Sequence, residues 1–189
     1  RIESTLKHNK WSVTTRTGKD GTMESFLSMH GQSPRLLHIA THGFYYTPAQ
    51  AKSVEYLRGY TDAMSLSGLV LSGGNAAWLG KPLPQGVLGG ILTANDIARM
   101  DLSGTDLVVL SACQTGQGKA TPEGLYGLQR AFKKAGVGTM VMSLWNVSDR
   151  TSSEFMATFY EQLARKSCAW DKRKAFEETR NIIRKRHPD

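Results

Sequence analysis

Apolar residues in this chain gather in short unbroken runs separated by polar or turn-forming residues. Four runs stand out, at 36–40 (Leu36, Leu37, His38, Ile39, Ala40), 68–71 (Gly68, Leu69, Val70, Leu71), 107–110 (Leu107, Val108, Val109, Leu110) and 139–144 (Thr139 to Leu144). Runs this short, without alternation, predict strands buried on both faces, as in a parallel sheet. The more amphipathic run 11–15, from Trp11 to Thr15, predicts an edge strand.

Helical spacing fills the intervals. Thr121, Pro122 and Glu123 supply a cap, a first-turn proline and an acid at the positive end of a helix. Leu125, Leu128 and Phe132 follow on one face, and Gly136 closes the helix. Ser148 and Asp149 open a second helix with Phe155, Phe159 and Leu163 spaced by four. A third is predicted over 174–186 with Phe176 and Ile183 inward, and residues 1–9 read as the tail of a helix. The Gly- and Pro-rich segment 72–93 is the one long loop or hairpin excursion. Strands alternating with helices predict an α/β fold, a mostly parallel sheet flanked by helices.

Composition narrows the class. At 189 residues, 40% hydrophobic and 21% charged, the chain fits one globular domain spanning 1–189. No apolar stretch reaches the length of a membrane helix, and no signal peptide opens the sequence. Two cysteines, Cys113 and Cys168, make no disulfide framework, which fits a reducing, cytoplasmic setting. The net charge of +8 is concentrated in 165–189, where nine basic residues face four acidic ones. With no aromatic residue after Phe176 to stack on bases, that segment reads as a solvated helix face rather than a nucleic-acid surface, and no nucleic-acid partner is expected.

Ligands of open α/β sheets bind outside the carboxyl ends of the strands, so the residues after each run hold the chemistry. Thr41, His42 and Gly43 follow the first run; Ser111, Ala112 and Cys113 follow the third; Trp145, Asn146 and Asp149 follow the fourth. A thiol nucleophile needs a nearby proton carrier and backbone amides for the developing oxyanion. Ends of neighbouring strands would bring His42 and Cys113 together, with the N–H groups of Gly43 and Cys113 as oxyanion donors. His38, inside its run, reads as a core histidine, while His8, His30 and His187 carry no signal and Cys168 has no partner in sight. Gly116 to Lys119 imitates a phosphate loop, but Cys113 and Ala120 occupy the positions where that motif needs Gly and Ser or Thr. Two distant cysteines make no zinc site, and no cofactor or metal is expected.

The stretches Leu37 to Phe44 and Asp106 to Gly116 strongly resemble the CHAT domain. So do Glu123-Gly124-Leu125, Arg130-Ala131-Phe132, Ala135-Gly136-Val137 and Ser143-Leu144-Trp145, in the family's order. The resemblance covers about 17–183 and implies a caspase-like three-layer sandwich. It further implies a cysteine endopeptidase of the caspase and separase kind, with His42 and Cys113 as dyad, His42 protonating the leaving amine, and a protein substrate. The caspase signature has Gln where Ser111 stands, so a pocket specific for aspartate is not implied. Trp145 to Asp149 resembles a separase loop that carries acidic pocket residues. Asp149 matches one acid there, and Asn146 replaces another. A basic residue before the cut is expected, with a medium apolar one as rival. Asp96 also matches a family position, as a pocket residue or as a helix cap.

Only Gln117 to Thr121 separates the cysteine loop from the next helix, so activation by cutting a linker is not expected. The resemblance implies control by upstream repeats of the TPR type. The ends at Arg1 and at His187-Pro188-Asp189 read as those of a core excised from a larger polypeptide, with sheet edges left unpaired. The alternative is a catalytically silent interaction module that kept the fold.

Overall fold

The computed structural model of the chain describes residues 2–188 apart from 112–121, 144–148, 166–167 and 169, and leaves the side chains of 122–126 and 149 undescribed. Contacts divide the chain into two compact units, 16–146 and 1–15 with 147–189. The elements in chain order are α1 (Ile2–His8), α2 (Met23–Leu27), β1 (Leu36–Ala40), β2 (His42–Tyr45), α3 (Pro48–Ala51), β3 (Ser67–Val70) and α4 (Gly74–Trp78). They continue with β4 (Ile91–Thr93), α5 (Ala94–Ala98), β5 (Leu107–Ser111), α6 (Pro122–Lys134), β6 (Thr139–Met142), α7 (Asp149–Ala164) and α8 (Lys172–Arg186).

In the unit 16–146, β1, β5 and β6 form a parallel sheet in the order β1-β5-β6, with Leu36 level with Leu107 and Leu107 level with Thr139. Every residue from Leu107 to Leu110 is buried, as an unbroken apolar run in a central parallel strand requires. Ile39, Val108 and Leu110 pack with Phe26 of α2, Ile97 of α5, and Leu128, Ala131 and Phe132 of α6. Burying a side chain the size of Phe132 contributes about 1.5–3 kcal/mol. The fold is α/β with a helix-flanked parallel sheet, consistent with a caspase-like sandwich.

Two sequence expectations need correction here. The run at 68–71 is β3, the centre of a separate antiparallel sheet in the order β2-β3-β4. A strand covered on both faces has the same apolar signature in either kind of sheet. Leu69 faces the core shared with α5 and α6, whereas Val70 packs on a second cluster of Phe44, Ala51, Leu57, Leu66 and Ile91. Of the two readings of 72–93 the hairpin holds, since β4 returns antiparallel on β3, with α4 between them. The run at 139–144 forms strand only to Met142.

Gly136 ends α6 as expected, at φ +97°, with its own N–H on Lys133 and the Val137 N–H on Phe132, each at 3.1 Å. That left-handed turn satisfies the last carbonyls and suits glycine. The expected cap Thr121 lies outside the described residues, as do Ser148 and the side chain of Leu125.

In the unit of 1–15 and 147–189, α7 packs on α8 and α1. Phe176 meets Phe155 and Phe159 edge-on, with centroids 5.4 and 6.3 Å apart. The helix α8 starts at Lys172, earlier than expected, because the Asp171 carboxylate accepts the Lys174 N–H at 3.0 Å. No strand forms at 11–15. Instead the Trp11 N–H returns to the Leu6 carbonyl at 3.1 Å and its ring lies 5.0 Å from that of Trp170. Cys168 does have a partner: it is buried, with its sulfur 3.6 Å from a Glu178 carboxylate oxygen.

Candidate active site

Strands β1 and β2 are separated by Thr41 alone, where the chain bends as it leaves the parallel sheet and enters the antiparallel one. The Thr41 hydroxyl donates to the Val70 carbonyl of β3 and pins that crossing. His42 is thus the first residue of β2, exposed and level with Val70, and buried Gly43 follows it.

The next strand in the parallel sheet completes the rim. β1 and β5 are neighbours, and their last paired residues are Ala40 and Ser111. His42 and Cys113 each stand two residues past that pair in sequence. Cys113 itself lies outside the described residues, as do Trp145 and Asn146 and the side chain of Asp149. Ser111 closes β5, half-buried.

The ladder phase decides where the Gly43 N–H points. In an antiparallel pair, directly opposed residues alternate between those that exchange hydrogen bonds and those that do not. The Tyr46 N–H donates to the Leu66 carbonyl at 2.9 Å, so the bonded pairs of β2 and β3 are 46–66, 44–68 and 42–70. Gly43, opposite Leu69, belongs to the other set, and its N–H and carbonyl point away from β3. An amide directed off a strand edge beside a histidine is the donor an oxyanion needs.

Close backbone approaches hold this hairpin in place. A Cβ on Gly68 would stand against the Leu92 carbonyl oxygen and 2.8 Å from the Phe44 ring. Gly127 of α6 has the Ser67 hydroxyl where its own Cβ would be, which seats α6 directly on β3.

Residues 2–189 match the CHAT domain family. The chain belongs to that family. Tetratricopeptide repeat protein 28 of Mus musculus is 41% identical to it over 73 residues, a match covering 39% of this chain and 3% of that protein. Its Homo sapiens counterpart is 38% identical over 73 residues, with the same coverage of 39% and 3%. The chain therefore spans a small part of the curated relatives it matches, and both are named for tetratricopeptide repeats. No solved structure matches it.

Within this CHAT domain the remaining candidates have assigned contacts. Asp96 forms a capping box at the start of α5: one carboxylate oxygen accepts the Thr93 N–H at 2.9 Å and the Thr93 hydroxyl at 2.5 Å, while Thr93 accepts the Asp96 N–H. Of the two roles open to Asp96 in the sequence, the cap is the one with contacts. His38 lies in β1, and burial pushes its imidazole below the usual histidine range. His30 and His187 are structural, His30 accepting the Asp101 N–H at 3.1 Å and His187 lying 2.9 Å from Glu154.

Sequence reading missed an aromatic cluster beside β2. Trp78 of α4 lies 5.2 Å from Phe44, 5.5 Å from Tyr46 and 6.4 Å from Tyr56, centroid to centroid. The alternation of His42, Phe44 and Tyr46 on one face of β2 was the available signal. Among the described residues, no group of three or more His, Cys, Asp or Glu side chains is disposed to hold a metal ion, and no helix is long and apolar enough to cross a membrane.

Proposed function

We propose that this CHAT domain is a cysteine endopeptidase. Cys113 attacks the scissile carbonyl, the N–H groups of Gly43 and Cys113 hold the oxyanion, and His42 protonates the leaving amine. Water then hydrolyses the thioester. The observation that carries this reading is the register of β1 on β5: Ala40 is level with Ser111, so a histidine and a cysteine follow adjacent strands at equal distance. The outward Gly43 amide supports it, and one such donor is typically worth about 3 kcal/mol in the transition state. The residue before the cut is proposed to be basic and read by Asp149. The tetratricopeptide-repeat relatives support control by repeats in the same polypeptide.

Peptidyl acyloxymethyl ketones with Arg, Leu, Met or Asp at the reactive position test this directly, the modified cysteine being found by peptide mapping. Labelling is expected at Cys113, to depend on His42, and to spare Cys168, which is 2% exposed. Labelling undiminished in His42→Ala overturns the dyad. Absence of labelling at Cys113 by every reagent favours the silent interaction module.

A further inference from the structure

We propose that the outer edge of β2 binds the part of a substrate that follows the cut, as an added parallel strand; this rests on the reading of His42 and Cys113 as a dyad. The ladder phase that turns Gly43 outward does the same for Tyr45, which is level with Ser67 in a non-bonded pair. Two successive outward residues present an N–H and a carbonyl each. Among the described residues no strand pairs on that side of β2. The β3–β4 ladder is in a compatible phase, since Leu71 donates to the Gly90 carbonyl at 2.7 Å and Leu69 is thereby turned toward β4.

The strand order fixes which part of the substrate lies there. The candidate nucleophile follows β5, the middle strand of β1-β5-β6. Trp145 and Asn146 follow β6 in sequence on one side, and β2 follows β1 on the other. A chain entering its pocket after β6 and cut after β5 therefore leaves along β2. His42, which protonates the new amine, opens that strand.

The register follows from the first rung. A scissile carbonyl that accepts the Gly43 N–H is already aligned with this edge. In a parallel ladder the Gly43 carbonyl then accepts the N–H of the second residue after the cut, and the Tyr45 N–H donates to that same residue's carbonyl. The N–H groups of the first and third residues point away. The second residue is level with Phe44, and its side chain falls on the face of β2 that carries Phe44, where the rings of Tyr46 and of Trp78 from α4 pack. An apolar residue fits there better than an acidic one.

Capture of the acyl-enzyme by added amines reads this surface directly. A peptidyl aminomethylcoumarin substrate with Arg or Leu before the scissile bond supplies the thioester with nothing beyond the cut. The amine of Ala-Leu-Ala-amide attacks the thioester carbonyl, the C–S bond breaks as the C–N bond forms, the amine proton passes to His42 and the Cys113 thiolate leaves. The ratio of transpeptidation to hydrolysis is measured by mass spectrometry. Ala-Leu-Ala-amide is expected to capture the acyl group at least about tenfold better than Ala-amide. N-methylation of the Leu nitrogen should lower capture about tenfold, and N-methylation of the last Ala should change it less than about twofold, as the loss of one bonded and one unbonded N–H predicts. Asp in place of Leu should also lower capture. Equal effects of methylation at both positions, or Ala-amide performing as well as the tripeptide, overturns the proposal while coumarin release still upholds the dyad. No coumarin release from the folded chain overturns the dyad and this surface with it.

Discussion

Gly68 shows how tightly single positions are specified around the hairpin. A methyl group there meets the Leu92 carbonyl oxygen and the Phe44 ring, and backbone has to give way. Gly68→Ala is expected to destabilise the chain by about 1–3 kcal/mol, read as a lowered midpoint in a thermal or urea melt. Cys113→Ala should abolish peptide turnover and leave the melt unchanged, and His42→Ala should remove most turnover while leaving a thiol that strong alkylating agents still modify. Full turnover by His42→Ala would dismiss the dyad. His38 supplies a pH dependence. Burial lowers its pKa in the folded chain, so below about pH 6.5 the unfolded state binds the extra proton and stability falls as pH falls. The slope from one such group is at most about 1.4 kcal/mol per pH unit. The urea midpoint of His38→Gln is therefore expected to fall less than that of the parent between about pH 7 and about pH 5.5. An equal fall would assign the acid sensitivity elsewhere. His42 and Gly43 are proposed from sequence because their chemistry is marked by type, and the structure adds their place as the first two residues of β2. The Thr41 hydroxyl and the aromatic ring set were not legible in sequence, because an ordinary threonine or tyrosine announces nothing until a partner strand is placed beside it.

Elements were legible where local signals and burial agree. The runs at 36–40 and 107–110 are β1 and β5, and α6 closes at Gly136 where the sequence places its end. They failed where one pattern serves two structures. The run at 68–71 reads as parallel and pairs antiparallel, and the alternation at 11–15 serves a ring contact with Trp170 rather than a ladder. The start of α5 is a case in which both readings were visible, and Thr93 and Asp96 form the capping box there. Asp96→Ala is expected to cost about 1 kcal/mol of stability, measured by urea melt, and to leave the preferred residue before the cut unchanged. A shifted preference without loss of stability would return Asp96 to the pocket. Asp149→Asn is the contrasting variant. It should weaken cleavage after Arg or Lys far more than after Leu or Met in a matched peptide set. Equal effects would remove Asp149 from that role.

At the scale of the whole chain, charge was legible in amount and place but not in its pairing. Part of the basic excess of 165–189 is partnered within its unit: Arg186 lies 3.1 Å and His187 2.9 Å from Glu154, and Arg173 lies 3.2 Å from Glu177. These pairs are exposed and each contributes little, but they set Glu154 and Glu177 beside the basic residues of the segment. The division of the chain into 16–146 and the pair of segments 1–15 and 147–189 had no sequence signal, since it depends on which distant segments meet. The indoles of Trp11 and Trp170, one from each of those two segments, are 5.0 Å apart and tilted by 48°. Two identical chromophores held that close and askew share their excitation, so the pair is expected to give a couplet from the strong far-ultraviolet indole transition in circular dichroism that Trp11→Phe abolishes. The couplet then reports whether two stretches from opposite ends of the chain are still joined. In a single cooperative domain it vanishes at the same urea concentration as the far-ultraviolet helical signal. An earlier loss would reveal a molecule that unclasps its ends before its sheet gives way.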